Sequence, residues 1–114
     1  THNLDPKSHD KIFSLTSHLP HIVAFSLISL FSKRKTSEYL KFIGGGLKDF
    51  TRIAESDPLM WENIFALNKN NLMKDINEFE KEINKIKKFI LQDKGSKLEA
   101  HLKNIKKIKE SLNR

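Results

Sequence analysis

No cysteine occurs in the 114 residues, which excludes a disulfide framework and a thiolate metal site and suits a reducing cytoplasm. Proline and glycine are scarce, three and four residues, and three of the four glycines are consecutive. Long stretches therefore carry no helix breaker and are rich in Leu, Ile, Lys, Glu and Asn. That composition favours an all-α domain. Ile and Asn are only middling helix formers, so packing must stabilise these helices more than propensity does. Strand-like alternation and internal repeats are missing too. At this length the chain reads as a single domain over residues 1–114 with one modest core. No signal-peptide pattern opens it and it starts at Thr1 rather than Met, so a domain of a longer protein is expected.

The net charge of +7 is unevenly placed. Residues 1–68 carry 8 Lys/Arg against 7 Asp/Glu, and residues 69–114 carry 13 against 7. A basic half invites a nucleic-acid reading. Its lysines, however, interleave with glutamates at helical spacing, and its only arginine is Arg114. Nucleic-acid surfaces usually add arginine and exposed aromatics. A solvated face is therefore expected, with no nucleic-acid partner.

Charge is absent from Ile12 to Ser32, a run followed by Lys33-Arg34-Lys35 and long enough to raise a transmembrane reading. Ser14, Thr16, Ser17, His18, Pro20, His21, Ser26, Ser29 and Ser32 argue against it. A helix apolar on most faces but dotted with serine suits the buried centre of a bundle or dimer, and no membrane partner is expected.

The helix pattern is punctuated by local signals. Asp5 and Pro6 form a cap and first position. Pro20 cannot donate to the carbonyl of Thr16, so a kink or break is expected there, with the freed carbonyl and two histidines clustered around it. Ser37 to Phe42 reads as a short helix ended by Gly44-Gly45-Gly46. One of these glycines would supply a left-handed cap, and the other two imply a close approach to the backbone. No strand precedes them and the spacing is not G-x-G-x-x-G, so they are no dinucleotide loop. Lys48 to Ala54 is a further short segment. Asp57-Pro58 opens a helix through Met60, Trp61, Ile64 and Leu67. From about Asn70 to Gln92, Leu72, Ile76, Phe79, Ile83, Ile86 and Ile90 form one apolar stripe, read as packing against the first helix or as a dimer seam. Gly95 should end that helix. Ser96-Lys97-Leu98-Glu99 then reads as a capping box for a last helix with Leu98, Leu102, Ile105 and Leu112 on one face.

Two segments concentrate reactive side chains. In the first, His18 and His21 share an i, i+3 spacing, with no third ligand to make a metal site. Each alone reads as a structural histidine bonded to a carbonyl, or as an imidazole facing an anionic ligand. In the second, Asp49 and Arg52 are i, i+3, so the carboxylate can orient the guanidinium, whose planar fork suits a carboxylate ligand. The bland alternative is a surface ion pair contributing under about 1 kcal/mol. Trp61, the only tryptophan, is a core anchor or a pocket wall. Ser17 lacks a nucleophile elbow, so no hydrolytic triad is expected.

Taken in order, His9-Asp10, Ser17-His18-Leu19-Pro20-His21, Gly44-Gly45-Gly46, Asp49-Phe50-Thr51-Arg52-Ile53-Ala54, Ser56-Asp57-Pro58 and Met60-Trp61 resemble the C-terminal region of prephenate/arogenate dehydrogenases. The resemblance runs to about Phe89. It implies a helical dimerisation and substrate-contacting domain of an intertwined homodimer in the cytoplasm. A Rossmann domain binding NAD or NADP would lie outside this chain, as would the catalytic histidine. The implied reaction is oxidative decarboxylation of prephenate to 4-hydroxyphenylpyruvate, or of arogenate to tyrosine, with tyrosine a candidate inhibitor. By motif position Arg52 would bind a substrate carboxylate, supported by Asp49. His21 and the backbone at Gly45 would line the pocket, Trp61 would wall it, and His18 and Ser17 would sit close by. The lysine-rich region after Gln92 matches no motif of the family, and this chain alone should be inactive. The alternative is a free-standing helical module for a small aromatic carboxylate such as tyrosine.

Overall fold

The computed structural model describes residues 4–34, 36–93 and 95–113. Thr1, Lys35 of the basic flank and Arg114, the arginine of the tail, lie outside them. The fold is all-α, with no strand among the described residues. The helices are α1 (Pro6–Phe13), α2 (Leu19–Arg34), α3 (Ser37–Lys41), α4 (Gly45–Thr51), α5 (Pro58–Leu67), α6 (Lys69–Leu91) and α7 (Gly95–Leu112). A π turn, Ser14–His18, joins α1 to α2, and a 3-10 turn, Arg52–Ala54, follows α4.

Both cap signals are realised. The Asp5 carboxylate accepts from the Ser8 N–H at 2.9 Å, with Pro6 in the first turn. Asp57 accepts from the Leu59 N–H at 3.2 Å ahead of Pro58. The expected interruption at Pro20 takes a different form, because the helix widens before the proline instead of stopping at it. The Leu19 N–H reaches back to the Ser14 carbonyl, and α2 continues with Pro20 as its second residue. The missing N–H thus falls at the exit of the wider turn.

Three glycine readings are corrected. Gly44 does not close α3 but stands as the N-cap of α4, in extended conformation. No glycine has positive φ, so none supplies a left-handed cap. Gly95 likewise opens α7, which places Ser96 inside the helix and leaves the capping box unformed. The chain leaves α6 through Asp93, at φ 51°, with its N–H on the Ile90 carbonyl at 3.4 Å. A short polar side chain tolerates this left-handed position better than most.

Two compact units divide the chain, one ending at Ile76 and the other beginning at Asn77. In the first, Leu19 and Ala24 of α2, Trp61 of α5 and Leu72 of α6 are buried, together with the polar Ser14, Thr51 and Asn68. α2 packs against α4 and the 3-10 turn. Thr51 is satisfied locally, its hydroxyl donating to the Leu47 carbonyl at 2.6 Å. In the second unit the Phe89 ring meets the edge of His101, with centroids 5.7 Å apart. Every described lysine there is exposed. Of the α6 stripe Leu72 is buried in the first unit, while Ile83 and Ile90 of the second are 50% and 60% exposed.

Candidate functional site

The site is built where α2 meets α5. Trp61, on the first exposed-to-buried turn after the Pro58 start, is 8% exposed. His21 lies on its face, with centroids 3.6 Å apart and planes 21° from parallel. His18, one turn earlier, approaches Trp61 edge-on at 6.0 Å. Phe65 adds to the tryptophan side at 5.6 Å, and Phe25 closes the cluster against both His21 and Phe65 at 6.3 Å. Aromatic pairs in such geometries contribute about 0.5–1.5 kcal/mol beyond the area they bury.

The histidines are oriented by different partners. His21 Nδ1 lies 2.8 Å from the Ser17 carbonyl. A carbonyl only accepts, so His21 carries a proton on Nδ1 and leaves Nε2 for a ligand. Ser17 thus serves through its backbone. His18 Nδ1 lies 3.2 Å from the side-chain nitrogen of Asn68, a buried residue at the end of α5. The same nitrogen donates to the Asp10 carbonyl at 2.7 Å, and the Asn68 oxygen accepts from Asn71 at 2.9 Å. Burial holds His18 below the ordinary histidine range, the neighbouring His21 adds to the effect, and Asp10 opposes it.

Structure therefore brings together His18, His21 and Trp61, with Ser17 behind them. Gly45, Asp49 and Arg52 lie on the neighbouring α4 and 3-10 turn, against α2. The expected Asp49–Arg52 ion pair is not formed: ion pairs among the described residues are His9–Asp10, Glu82–Lys85 and Glu99–Lys103. Arg52 sits where the backbone tightens, its N–H on the Asp49 carbonyl, and both side chains stay in water, where such a pair gains little. The guanidinium is consequently available. A Cβ placed on Gly44, Gly45 or Gly46 would meet nothing within 4 Å, so no contact inside the chain explains the triplet. An apolar groove of about 360 Å³ lies elsewhere, between the end of α2 and Tyr39, Phe42, Ile43 and Leu47, and shares no residue with this cluster. Sequence reasoning missed Asn68, whose only local mark is an asparagine closing a helix.

The Pro6–Arg34 helix is long and apolar enough to cross a membrane by length and composition. Within the unit only Ser14, Leu19 and Ala24 of this helix are buried, so packing inside the unit leaves most of its apolar surface uncovered.

Nothing in these residues fits a dinucleotide. Gly44–Gly46 follows a helix and not a strand, and no strand exists among the described residues to form the cradle.

Comparison with known proteins is consistent along the chain. Residues 5–104 match the family described as prephenate dehydrogenase, dimerization domain. The chain is 36% identical over 114 residues to a prephenate dehydrogenase of Bacillus subtilis (strain 168), covering 96% of this chain and 30% of that protein. It is 30% identical to a cyclohexadienyl dehydrogenase of Zymomonas mobilis, covering 96% and 38%. Among solved structures, prephenate dehydrogenase from A. aeolicus in complex with hydroxyphenyl propionate and NAD+ superposes with a TM-score of 0.87 at 44% identity, over 96% of this chain and 39% of that one. Synechocystis arogenate dehydrogenase shares the fold, with a TM-score of 0.84 at 20% identity. The chain thus spans about a third of the length of the relatives it matches. On the match over residues 5–104, this chain belongs to the prephenate dehydrogenase dimerization-domain family.

Proposed function

We propose that this chain is the dimerisation and substrate-contacting domain of an NAD(P)-dependent prephenate or arogenate dehydrogenase of tyrosine biosynthesis, a soluble cytoplasmic homodimer. The observation that carries the reading is the His21–Trp61 stack, with Arg52, which pairs with no carboxylate among the described residues, on the 3-10 turn that packs against α2. An aromatic wall suits the six-membered ring of the substrate, and a planar cation suits its carboxylate. The solved relative in complex with hydroxyphenyl propionate supports an aromatic carboxylate as ligand class. The cyclohexadienyl dehydrogenase relative leaves both prephenate and arogenate in play.

In this reading Arg52 fixes one end of the substrate, with Asp49 nearby on the same face. His21 offers Nε2, and the Gly45 backbone lines the opposite side. Trp61 keeps the ring in place, and His18 and Ser17 set the depth of the pocket. Bound NAD(P) supplies the hydride acceptor from outside this chain, whose own residues bind and orient. A homodimer is supported by apolar side chains the first unit leaves uncovered, including Phe42 at 80% and Leu67 at 87% exposure. Tyrosine, which resembles the product, is the natural inhibitor to assay.

Arg52→Ala in the full-length protein tests the assignment. Turnover of prephenate should fall in kcat/KM by about a hundredfold, the loss of one charge-assisted pair, while the dimer persists in size-exclusion chromatography. Unchanged kcat/KM would sink the site.

A further inference from the structure

We propose that Asn68 is a positioning residue that locks His18 as a neutral imidazole with its single proton on Nε2. The argument is one of donors and acceptors. The group 2.7 Å from the Asp10 carbonyl must be a donor, so it is the Asn68 amide nitrogen and not its oxygen. Donation from Asn71 to the Asn68 oxygen at 2.9 Å fixes the same orientation. Helix bonds already occupy the Asn68 backbone, whose N–H is on the Ile64 carbonyl at 3.2 Å and whose carbonyl takes the Leu72 N–H at 3.0 Å. The side-chain nitrogen has two hydrogens. One goes to Asp10, and the other is left for His18 Nδ1 at 3.2 Å. That ring nitrogen must then present a lone pair. An imidazolium, protonated at both nitrogens, would set N–H against N–H at a half-buried ring beside the buried Asn68, at the cost of an unsatisfied donor.

The surroundings agree. Trp61 and Asn68 face His18 without charge, and the titratable neighbours are His21, Asp10 and His9. Asp10 alone favours a proton. Its carboxylate is turned toward His9 Nδ1 at 3.4 Å, while its backbone carbonyl serves Asn68. The two histidines are thereby set in opposite tautomers. His21 keeps its proton on Nδ1 and leaves Nε2 open, whereas His18, as a neutral ring, offers an N–H. Resting on the functional reading above, His18 would then contribute a hydrogen bond to a neutral oxygen of the ligand, such as a hydroxyl, and leave the carboxylate to Arg52.

The test is nitrogen NMR on the full-length protein carrying ring-labelled histidine, with His18→Gln identifying the resonances. At neutral pH His18 Nδ1 should show the signal of an unprotonated nitrogen and Nε2 that of a protonated one. In Asn68→Asp the carboxylate accepts from Nδ1, so the proton should change nitrogens and the His18 titration midpoint should rise by about one pH unit. A wild-type His18 protonated on Nδ1, or a midpoint unmoved in Asn68→Asp, would overturn the proposal. If the variant fails to fold, the wild-type spectrum alone decides. Calorimetric binding of hydroxyphenyl propionate with NAD+ to the same samples separates the two claims. No binding to the wild type, with the tautomer pattern intact, overturns the functional reading and leaves the role of Asn68 standing.

Discussion

His21 and Trp61 face each other at 3.6 Å, and the two residues stand 40 positions apart in the chain, one just after Pro20 and the other just after Pro58. Pro58 opens α5 and Pro20 is the second residue of α2, just past the π turn, so the contact depends on where that turn ends and where α5 begins. Trp61 is at once the largest buried group of its unit and the wall of the proposed pocket.

Trp61→Ala should therefore cost both stability and binding. Truncation of a buried tryptophan costs about 3–5 kcal/mol, a large share of a typical domain stability. Trp61→Phe retains an aromatic face for His21 and should lose much less. Thermal melts of the two variants beside the wild type check the order, and equal melting temperatures for all three would contradict it.

Alanine at Gly45 should separate folding from binding. Its φ is not positive and a Cβ there meets nothing, so the helix should tolerate or gain from alanine, by about 0.5–1 kcal/mol. Ligand affinity should drop if the backbone lies against the substrate. An unchanged melt with weakened calorimetric binding is the expected pair of results.

Ser14 is wholly buried and its hydroxyl has no partner. The carbonyl one turn back, that of Asp10, already accepts from the Ser14 N–H and from Asn68. Both of its lone pairs are used, which explains the orphan. Ser14→Ala should be neutral or stabilising, by up to about 1 kcal/mol, in chemical denaturation. A clear loss of stability would reveal a hydroxyl partner.

Acid should weaken the first unit through His18. Its folded midpoint is lowered, so below the ordinary value near 6.5 the unfolded chain binds a proton that the folded chain does not. Stability contributed by the neutral ring is present above that pH and is lost as pH falls toward the folded midpoint. His18→Gln should flatten the pH dependence of the melting temperature on the acid side of the ordinary histidine value, about pH 6.5. A slope equal to the wild type would assign it to other groups.

The two Asp-Pro starts and the long α6 were legible because their signals lie within four residues of the effect. Glycine misled at Gly44 and Gly95, where it begins helices; conformational freedom permits a left-handed turn without demanding one. Asp93 takes that role instead, and no residue type announces it. His18, His21 and Trp61 were found through their chemistry and proved to touch. Asn68 escaped because its partners are 50 and 58 positions away, a relation that only packing creates.

The π turn at Ser14–His18 has a consequence for counting. Each residue of a regular α-helix turns about 100° from the last, so an eight-residue step from Asp10 to His18 would leave them about 80° apart. Widening absorbs one residue, and the step behaves like seven, about 20° from alignment. Asn68 can then reach both. A chain one residue shorter within this turn, at exposed Leu15 or Thr16, would form a regular helix with the same two positions aligned. The turn is the physical form of a single supernumerary residue, and a one-residue gap in a relative at this place would leave the facing of the histidine unchanged.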